Sequence, residues 1–287
     1  IGNRRYSHAR RSAKLDGLRQ NRGGSFVKAF NIRNKKDSAD AKAIWLAVQQ
    51  PGKPVAVKTE MQQAMLALHR LREQLVKFRT MQINGLRGLL TEYGEVMPKG
   101  RAALDREIPG VLGRVSERLP AVLIDTLREQ WDGLAKVDAQ IAEIERRIRE
   151  WKKEDAAVKA IYEIPGVGLL TATAAVAMMG DPRAFSSGRE FAAWVGLVPK
   201  QIGTGGKVDL LGISKRGDTY LRKLLIHGAR AVLTHAKEPG PWVEQMKKRR
   251  PSNVVVVALA NKMARTIWAI LAHDRPYQKD YVSVKPA

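Results

Sequence analysis

No cysteine occurs among the 287 residues, which excludes disulfides, thiolate zinc sites and a cysteine nucleophile. That absence fits a cytoplasmic protein. Long apolar runs are missing too. The longest, Val254 to Ala260, is broken by Asn261 and Lys262 and is too short to span a bilayer. No secretory signal pattern is present, so no membrane role is expected. The chain opens on Ile1 rather than Met, so either an unusual start codon is read literally or the natural N-terminus lies upstream. Acids are scarce: Asp and Glu number 28 against 51 Lys and Arg, giving a formal net charge of +23 and a pI of about 10.4. The excess is spread along most of the chain, so whole surfaces are basic, and nucleic-acid phosphate is the obvious counterpart. The glycine-rich stretch from Lys200 to Lys207 lacks a Gly-Lys-Ser/Thr ending, which argues against a nucleotide-binding P-loop.

With 44% hydrophobic residues, the chain can bury a real core, as two domains or one elongated one. Its most informative stretch is Ile164-Pro165-Gly166-Val167-Gly168, followed by small residues from Leu169 to Met179. This pattern predicts a helix-hairpin-helix turn. Gly166 and Gly168 let bare backbone approach a partner, and the amides opening the second helix form an anion site.

Residues 1–24 are basic and carry no apolar periodicity, so disorder or a nucleic-acid-binding arm is expected there. Asp37 looks like a helix N-cap, with Asp40 in the first turn of a helix running towards Val48. A long helical hairpin follows. Its first helix carries Met65, Leu68, Leu71, Leu75, Phe78, Leu86, Leu89 and Tyr93. Its return helix carries Leu127, Trp131, Leu134, Ile141, Ile144, Ile148 and Trp151. The segment from Gly94 to Pro120 between them reads as a Pro/Gly-bearing connection. An intramolecular pair and an oligomerisation arm both satisfy this spacing. Beyond residue 156 the expectation is a compact helical domain with helices over Asp218–Thr234, Pro241–Arg249 and Val254–Ala272. A small hairpin flanks Gly205-Gly206.

Asp37 and Asp40, three apart on a helix, project from one face and suit part of a two-metal nuclease site. A cap plus a dipole-favoured acid is the commoner meaning of such a pair. Thr204 offers a hydroxyl on a flexible loop beside Lys200 and Lys207, as a nucleophile, a phosphate contact or part of a plain turn. In Ile213-Ser214-Lys215-Arg216-Gly217-Asp218, Asp218 is a helix cap, and Lys215 and Arg216 reach towards phosphate. Ser214 is a second candidate nucleophile or a loop hydroxyl. Trp194 and Trp268 read as core.

Together, Asn34–Ala41, Ile164–Gly168, Phe191–Pro199 and Gly212–Asp218 resemble motifs of the DEDD transposases of the insertion sequence one-hundred-and-ten type, which include the pilin-gene-inverting recombinases. The resemblance runs from about Ser25 to near the C-terminus. It implies a resolvase-like α/β domain binding Mg2+ through four acids, a helical arm, and a C-terminal domain supplying a serine nucleophile. It further implies DNA strand cleavage and exchange guided by a structured RNA. Asp37 and Asp40 fall on the third and fourth acids, and the serine position falls on Thr204, with Ser214 as the fallback. Nothing before Ser25 resembles the strands that carry the first two acids, so the expectation is an N-terminally truncated transposase with an incomplete metal site and impaired catalysis.

The resulting expectation is a mainly α protein. Residues 1–24 are unmatched and residues 25–57 are a remnant of the resolvase-like domain. Residues 58–155 form a helical coiled-coil arm, and residues 156–287 form a C-terminal domain with a helix-hairpin-helix motif. Expected nucleic-acid contacts are Gly166, Gly168, Lys200, Lys207, Lys215 and Arg216. Expected partners are DNA, a structured guide RNA and further copies of the chain through the arm, acting in the cytoplasm at the nucleoid. The alternative is a non-enzymatic DNA or RNA binder, or a regulator that joins full-length transposase.

Overall fold

The computed structural model describes residues 37–49, 57–204 and 207–279, and the fold is mainly helical. Two units divide at Thr59/Glu60. The unmatched segment 1–24 and Gly205-Gly206 lie outside the described residues.

In the first unit, helix α1 spans Asp37–Gln49. It opens at Asp37, with Asp40 one turn on, as the acids near a helix start favour. Ala43 and Ala47 are buried, while Ile44 and Trp45 are exposed.

The second unit begins with two long antiparallel helices, α2 (Glu60–Glu92) and α4 (Ala121–Glu154). Between them lies a helix that the breaker residues conceal: α3 spans Arg101–Ser116 with Pro109 inside it. The expected loop is therefore corrected to a third helix. Pro109 removes one amide donor, but Leu104, Ile108, Val111, Leu112 and Val115 form an apolar face buried against α2 and α4. That burial outweighs the local penalty. Arg72 reaches Glu145 at 2.7 Å, Arg79 reaches Asp138 at 2.7 Å, and Arg101 reaches the same carboxylate at 3.0 Å. Burial alone would raise the Asp138 carboxyl, but the two arginines outweigh it and hold it below the usual range.

The expected α2 seam divides into two faces. Met65 and Leu86 are buried, whereas Leu71, Phe78 and Leu89 are exposed, together with Met81 at 62%. Ile83 and Leu90, absent from the expected seam, are buried instead.

Short helices continue the chain: α5 (Ala156–Tyr162), α6 (Leu169–Met179), a single 3-10 turn (Pro182–Ala184) and α7 (Gly188–Val195). Asp155 caps α5 through Val158 N at 2.9 Å, and Ser187 caps α7 through Glu190 N at 3.2 Å. Helix α6 is the centre of the core. Thr171 through Ala177 are all buried, and α2, α4, α5 and α8 pack around it. Side chains no larger than valine let four neighbours approach one axis.

Strands β1 (Pro199–Thr204) and β2 (Lys207–Ile213) form an antiparallel ribbon with Thr204 opposite Lys207. Three helices close the chain: α8 (Thr219–His235), α9 (Pro241–Lys247) and α10 (Ser252–His273). Contrary to expectation, α10 is long and apolar enough, by length and composition, to cross a membrane. Its eight buried residues, from Val255 to Ile270, line the core against α7 and α8, which accounts for that composition.

Candidate nucleic-acid interface

Two of the motifs meet at the foot of the ribbon. Helix α7 ends at Gly196, whose φ of 82° places it in the left-handed region. A Cβ there would lie 2.1 Å from Arg216 O, and a Cβ on Gly217 would lie 1.7 Å from Trp194 O. Only glycine admits so close a crossing of the two backbones. Three hydrogen bonds complete the join: Ser214 N to Val198 O at 2.8 Å, Lys215 N to Gly196 O at 3.2 Å, and Asn261 Nδ2 to Leu197 O at 3.2 Å.

Arg222 locks this foot. It is buried in the first turn of α8 and donates one guanidinium nitrogen to Val195 O and Arg216 O, both at 2.8 Å. A second nitrogen reaches Thr219 Oγ1 at 3.2 Å. A buried cation holding three oxygens from two chain segments is a fixed fork, for which lysine is a poor substitute. Asp218 caps the same helix through Leu221 N at 2.8 Å.

The ribbon itself packs chiefly on itself. Lys200, Gln201, Ile202, Gly203 and Val208 through Gly212 are all exposed. Thr204 closes β1 and Lys207 opens β2. Lys215, with a positive φ of 53°, and Arg216 are exposed at the foot. The structure thus gathers Lys200, Lys215 and Arg216 around one end of the ribbon and places Thr204 at the other. Ser214 is different: its hydroxyl is buried without a hydrogen-bond partner.

The turn between α5 and α6 makes a second close contact. Gly166, at φ 84°, would place a Cβ 2.8 Å from Gly228 O, and a Cβ on Gly228 would lie 2.1 Å from Gly166 O. The close approach predicted for this turn is thus made to α8. Gly168 is exposed, has open space around it, and sits at the N-cap of α6. Arg222 and Gly228 are six residues apart, about 9 Å along the axis of α8. One helix therefore fixes both the ribbon foot and the hairpin turn.

A buried polar joint ties this region to the arm. His69 on α2 lies 3.0 Å from both Tyr220 Oη and Thr173 Oγ1. Thr173 donates its hydroxyl proton to Leu169 O at 2.8 Å. The ring's Nε2–H therefore donates to Thr173, and Tyr220 donates to Nδ1, which fixes a neutral histidine. Burial, with the Arg72 cation adding to it, pushes the His69 pKa down to about 4.

Trp194 departs from the core reading. It stacks on Phe191 at 5.8 Å, with Phe185 edge-on, yet stays 38% exposed above the Gly217 crossing. Trp268 is half-buried and donates to Pro182 O at 3.0 Å. The sequence reading missed Arg222, Gly228 and Asn261. Only the two glycines' shared closeness explains Gly228, and a lone arginine or asparagine in a helix carries no mark of its carbonyl partners.

Asp37 and Asp40 belong to the first unit, Thr204 and Ser214 to the second. Among the described residues no group of three or more His, Asp or Glu is gathered as a cation cage. Two acids on one helix suit the open mode of Mg2+, in which water and phosphate oxygens complete the coordination.

Residues 158–243 match the family model described as "Transposase IS116/IS110/IS902 family". Over 261 residues the chain is 44% identical to the "Probable family 20 transposase" of Pseudomonas aeruginosa, covering 88% of this chain and 77% of the relative. It is 39% identical to the transposase for insertion sequence element IS1328 of Yersinia enterocolitica, with the same coverage. To the transposase for IS1111A of Coxiella burnetii it is 40% identical, covering 88% of this chain and 71% of the relative. With α6 through α8, the ribbon and its Arg222-locked foot inside the matched segment, and with these relatives each at least 39% identical and covered over at least 71% of their length, the chain belongs to the IS116/IS110/IS902 family of transposases.

Proposed function

We propose that this transposase cleaves and exchanges DNA strands during movement of an insertion sequence, with the ribbon presenting the reacting hydroxyl. The observation that carries the reading is the ribbon. It is an exposed two-stranded arm, rigid at an Arg222-locked foot, with basic residues at that foot and Thr204 at its far end. Lys200, Lys207, Lys215 and Arg216 hold phosphates, and Gly168 offers the free amides of the turn opening α6. The Thr204 hydroxyl attacks phosphorus and gives its proton to water, while the phosphorus–oxygen bond to the departing strand breaks and that sugar oxygen leaves as a protonated hydroxyl. The partnerless burial of Ser214 Oγ favours Thr204 over that fallback, because a buried hydroxyl reaches a phosphodiester only if the foot opens.

Asp37 and Asp40, on what we take to be the remnant of a resolvase-like domain, hold Mg2+. The ion, when bound, supplies positive charge against the scissile phosphate. A structured RNA guides the reaction, as the family resemblance implies. Copies of the chain associate through the arm, where Leu71, Phe78 and Leu89 lie on a heptad-like stripe facing away from the buried α2 seam.

The test is cleavage and strand transfer on supercoiled DNA with Mg2+ and the element's candidate RNA. Asp37→Ala and Thr204→Ala abolish activity and Ser214→Ala retains it. Activity surviving Thr204→Ala refutes the assignment, and binding without cleavage by the unmodified chain marks a nucleic-acid holder in place of an enzyme.

A further inference from the structure

Helices α8, α9 and α10 enclose a cleft of about 440 Å³ that the ribbon and the hairpin turn do not share. It is lined by Arg230, Leu233 and Thr234 of α8, and by Lys247 and Arg250 at and beyond the end of α9. Ser252, Asn253, Val255 and Val256 of α10 complete the lining. Three cations from two parts of the chain, Arg230 on one and Lys247 and Arg250 on the other, thus converge with two hydroxyls and an amide, and no carboxylate lines the cleft. Lys247 is paired with Glu244 at 3.1 Å, while Arg230 and Arg250 have no carboxylate partner among the described residues.

The cleft has a firm base. Val255 and Val256 are buried in its floor, Val243 anchors α9 in the core, and Lys262 lies over the Trp242 ring at 4.9 Å. Its position separates it from the family motifs. Gly228 and Val232 face the hairpin turn, but Arg230, two residues on from Gly228, is rotated by about 200° around α8. The cleft therefore lies on the far side of α8.

We infer that this cleft is a second docking surface, which grips the phosphodiester backbone of duplex DNA away from the reacting ribbon. Two arginines without an acid partner, beside a lysine shared with Glu244, leave the cleft a net positive charge that suits an anion. The lack of any aromatic lining residue removes the stacking platform that single strands use, which leaves a backbone grip on paired strands. The inference rests on the proposed function for the identity of the duplex. It adds that the protein holds DNA at two places, one on either side of α8.

The experiment measures duplex affinity of the full chain as a function of salt, without scoring cleavage. Each lost phosphate contact lowers the slope of log affinity against log salt by about 0.9. Arg230→Gln with Arg250→Gln should lower the slope by roughly 2, equally for unrelated DNA sequences. Lys248→Gln with Arg249→Gln removes the same charge from the residues between Lys247 and Arg250 but outside the cleft lining, and should lower it much less. Circular dichroism confirms that both pairs fold, as expected for exposed side chains. Unchanged binding by the cleft pair, an equal loss in the control pair, or preference for single strands overturns the inference. Loss of strand cleavage alone leaves it standing, whereas failure of the unmodified chain to bind duplex DNA overturns both readings.

Discussion

Replacing Gly228 by alanine sets two physical effects against each other. In an unconstrained helix, Gly→Ala stabilises by about 0.5–1 kcal/mol, because alanine has less backbone freedom to lose. At this position the new Cβ would lie 2.1 Å from Gly166 O, about 1 Å inside the closest approach such atoms tolerate. The obstacle is backbone, so no side chain can rotate away, and the hairpin turn must retreat from α8. Overpacking of that kind costs about 1–3 kcal/mol. The expected net effect of Gly228→Ala is therefore a loss of about 1–2 kcal/mol, opposite in sign to helix propensity. Gly133→Ala in α4 is the matched control. Nothing lies within 4 Å of its added Cβ, so the full gain of about 0.5–1 kcal/mol should appear. Urea midpoints at constant slope read both variants. Equal stabilisation by both would refute the Gly166–Gly228 contact as a constraint. Gly166→Ala should be at least as harmful, since its φ of 84° adds backbone strain. The double variant should be non-additive, because both changes strike one contact.

Other outcomes follow from the same geometry. His69 has a folded pKa near 4 against an ordinary 6.5, so the unfolded chain binds its proton more readily. Its contribution is complete above pH 6.5 and is lost as pH falls towards 4, by about 3 kcal/mol in all. Urea midpoints at pH 7 and 4.5 should fall further for the natural chain than for His69→Gln, and equal falls would remove His69 as the cause. Arg222→Lys loses the fork that joins Val195 O to Arg216 O, at about 1–3 kcal/mol. Hydrogen exchange at Ser214 and Lys215 amides should accelerate while α4 amides hold their protection, and unaltered exchange at the foot would refute the lock. Leu71→Glu with Phe78→Glu should lower the mass seen by light scattering without shifting the thermal midpoint, since both side chains are exposed. An unchanged mass speaks against association through that stripe.

Much of the helical pattern was legible because spacing, caps and breakers act locally. Asp218 has the sequence position of a cap and is one, and the glycine pair at 205–206 marks the ribbon although it lies outside the described residues. The failures have a common cause in distance along the chain. Pro109 and Gly110 look like a loop until Leu104, Ile108 and Val111 are seen buried on α2 and α4. The α2 seam merged an inward face with an outward one, because an apolar residue does not declare which neighbour it meets. Gly166 reads as meeting an outside partner, yet the backbone it approaches lies 62 residues further along the same chain. Arg222 stood unnoticed among many cations, most of which are exposed. In the candidate site, the residue types of the ribbon and its foot were readable, but the fork that fixes them was not.

The ribbon's independence has a consequence for how such a protein can vary. The two strands pair in simple register from Thr204–Lys207 back to Gln201–Leu210, and a shift between Pro199 and Gln201 absorbs one extra residue before the foot. Side-chain direction alternates with a period of two, so adding or removing one residue pair per strand at the open end preserves every orientation below it. Among the described residues the ribbon packs chiefly on itself beyond the foot, so such changes leave the core untouched. Reach towards a target can therefore be retuned by length alone, while the machinery that aims it is inherited whole.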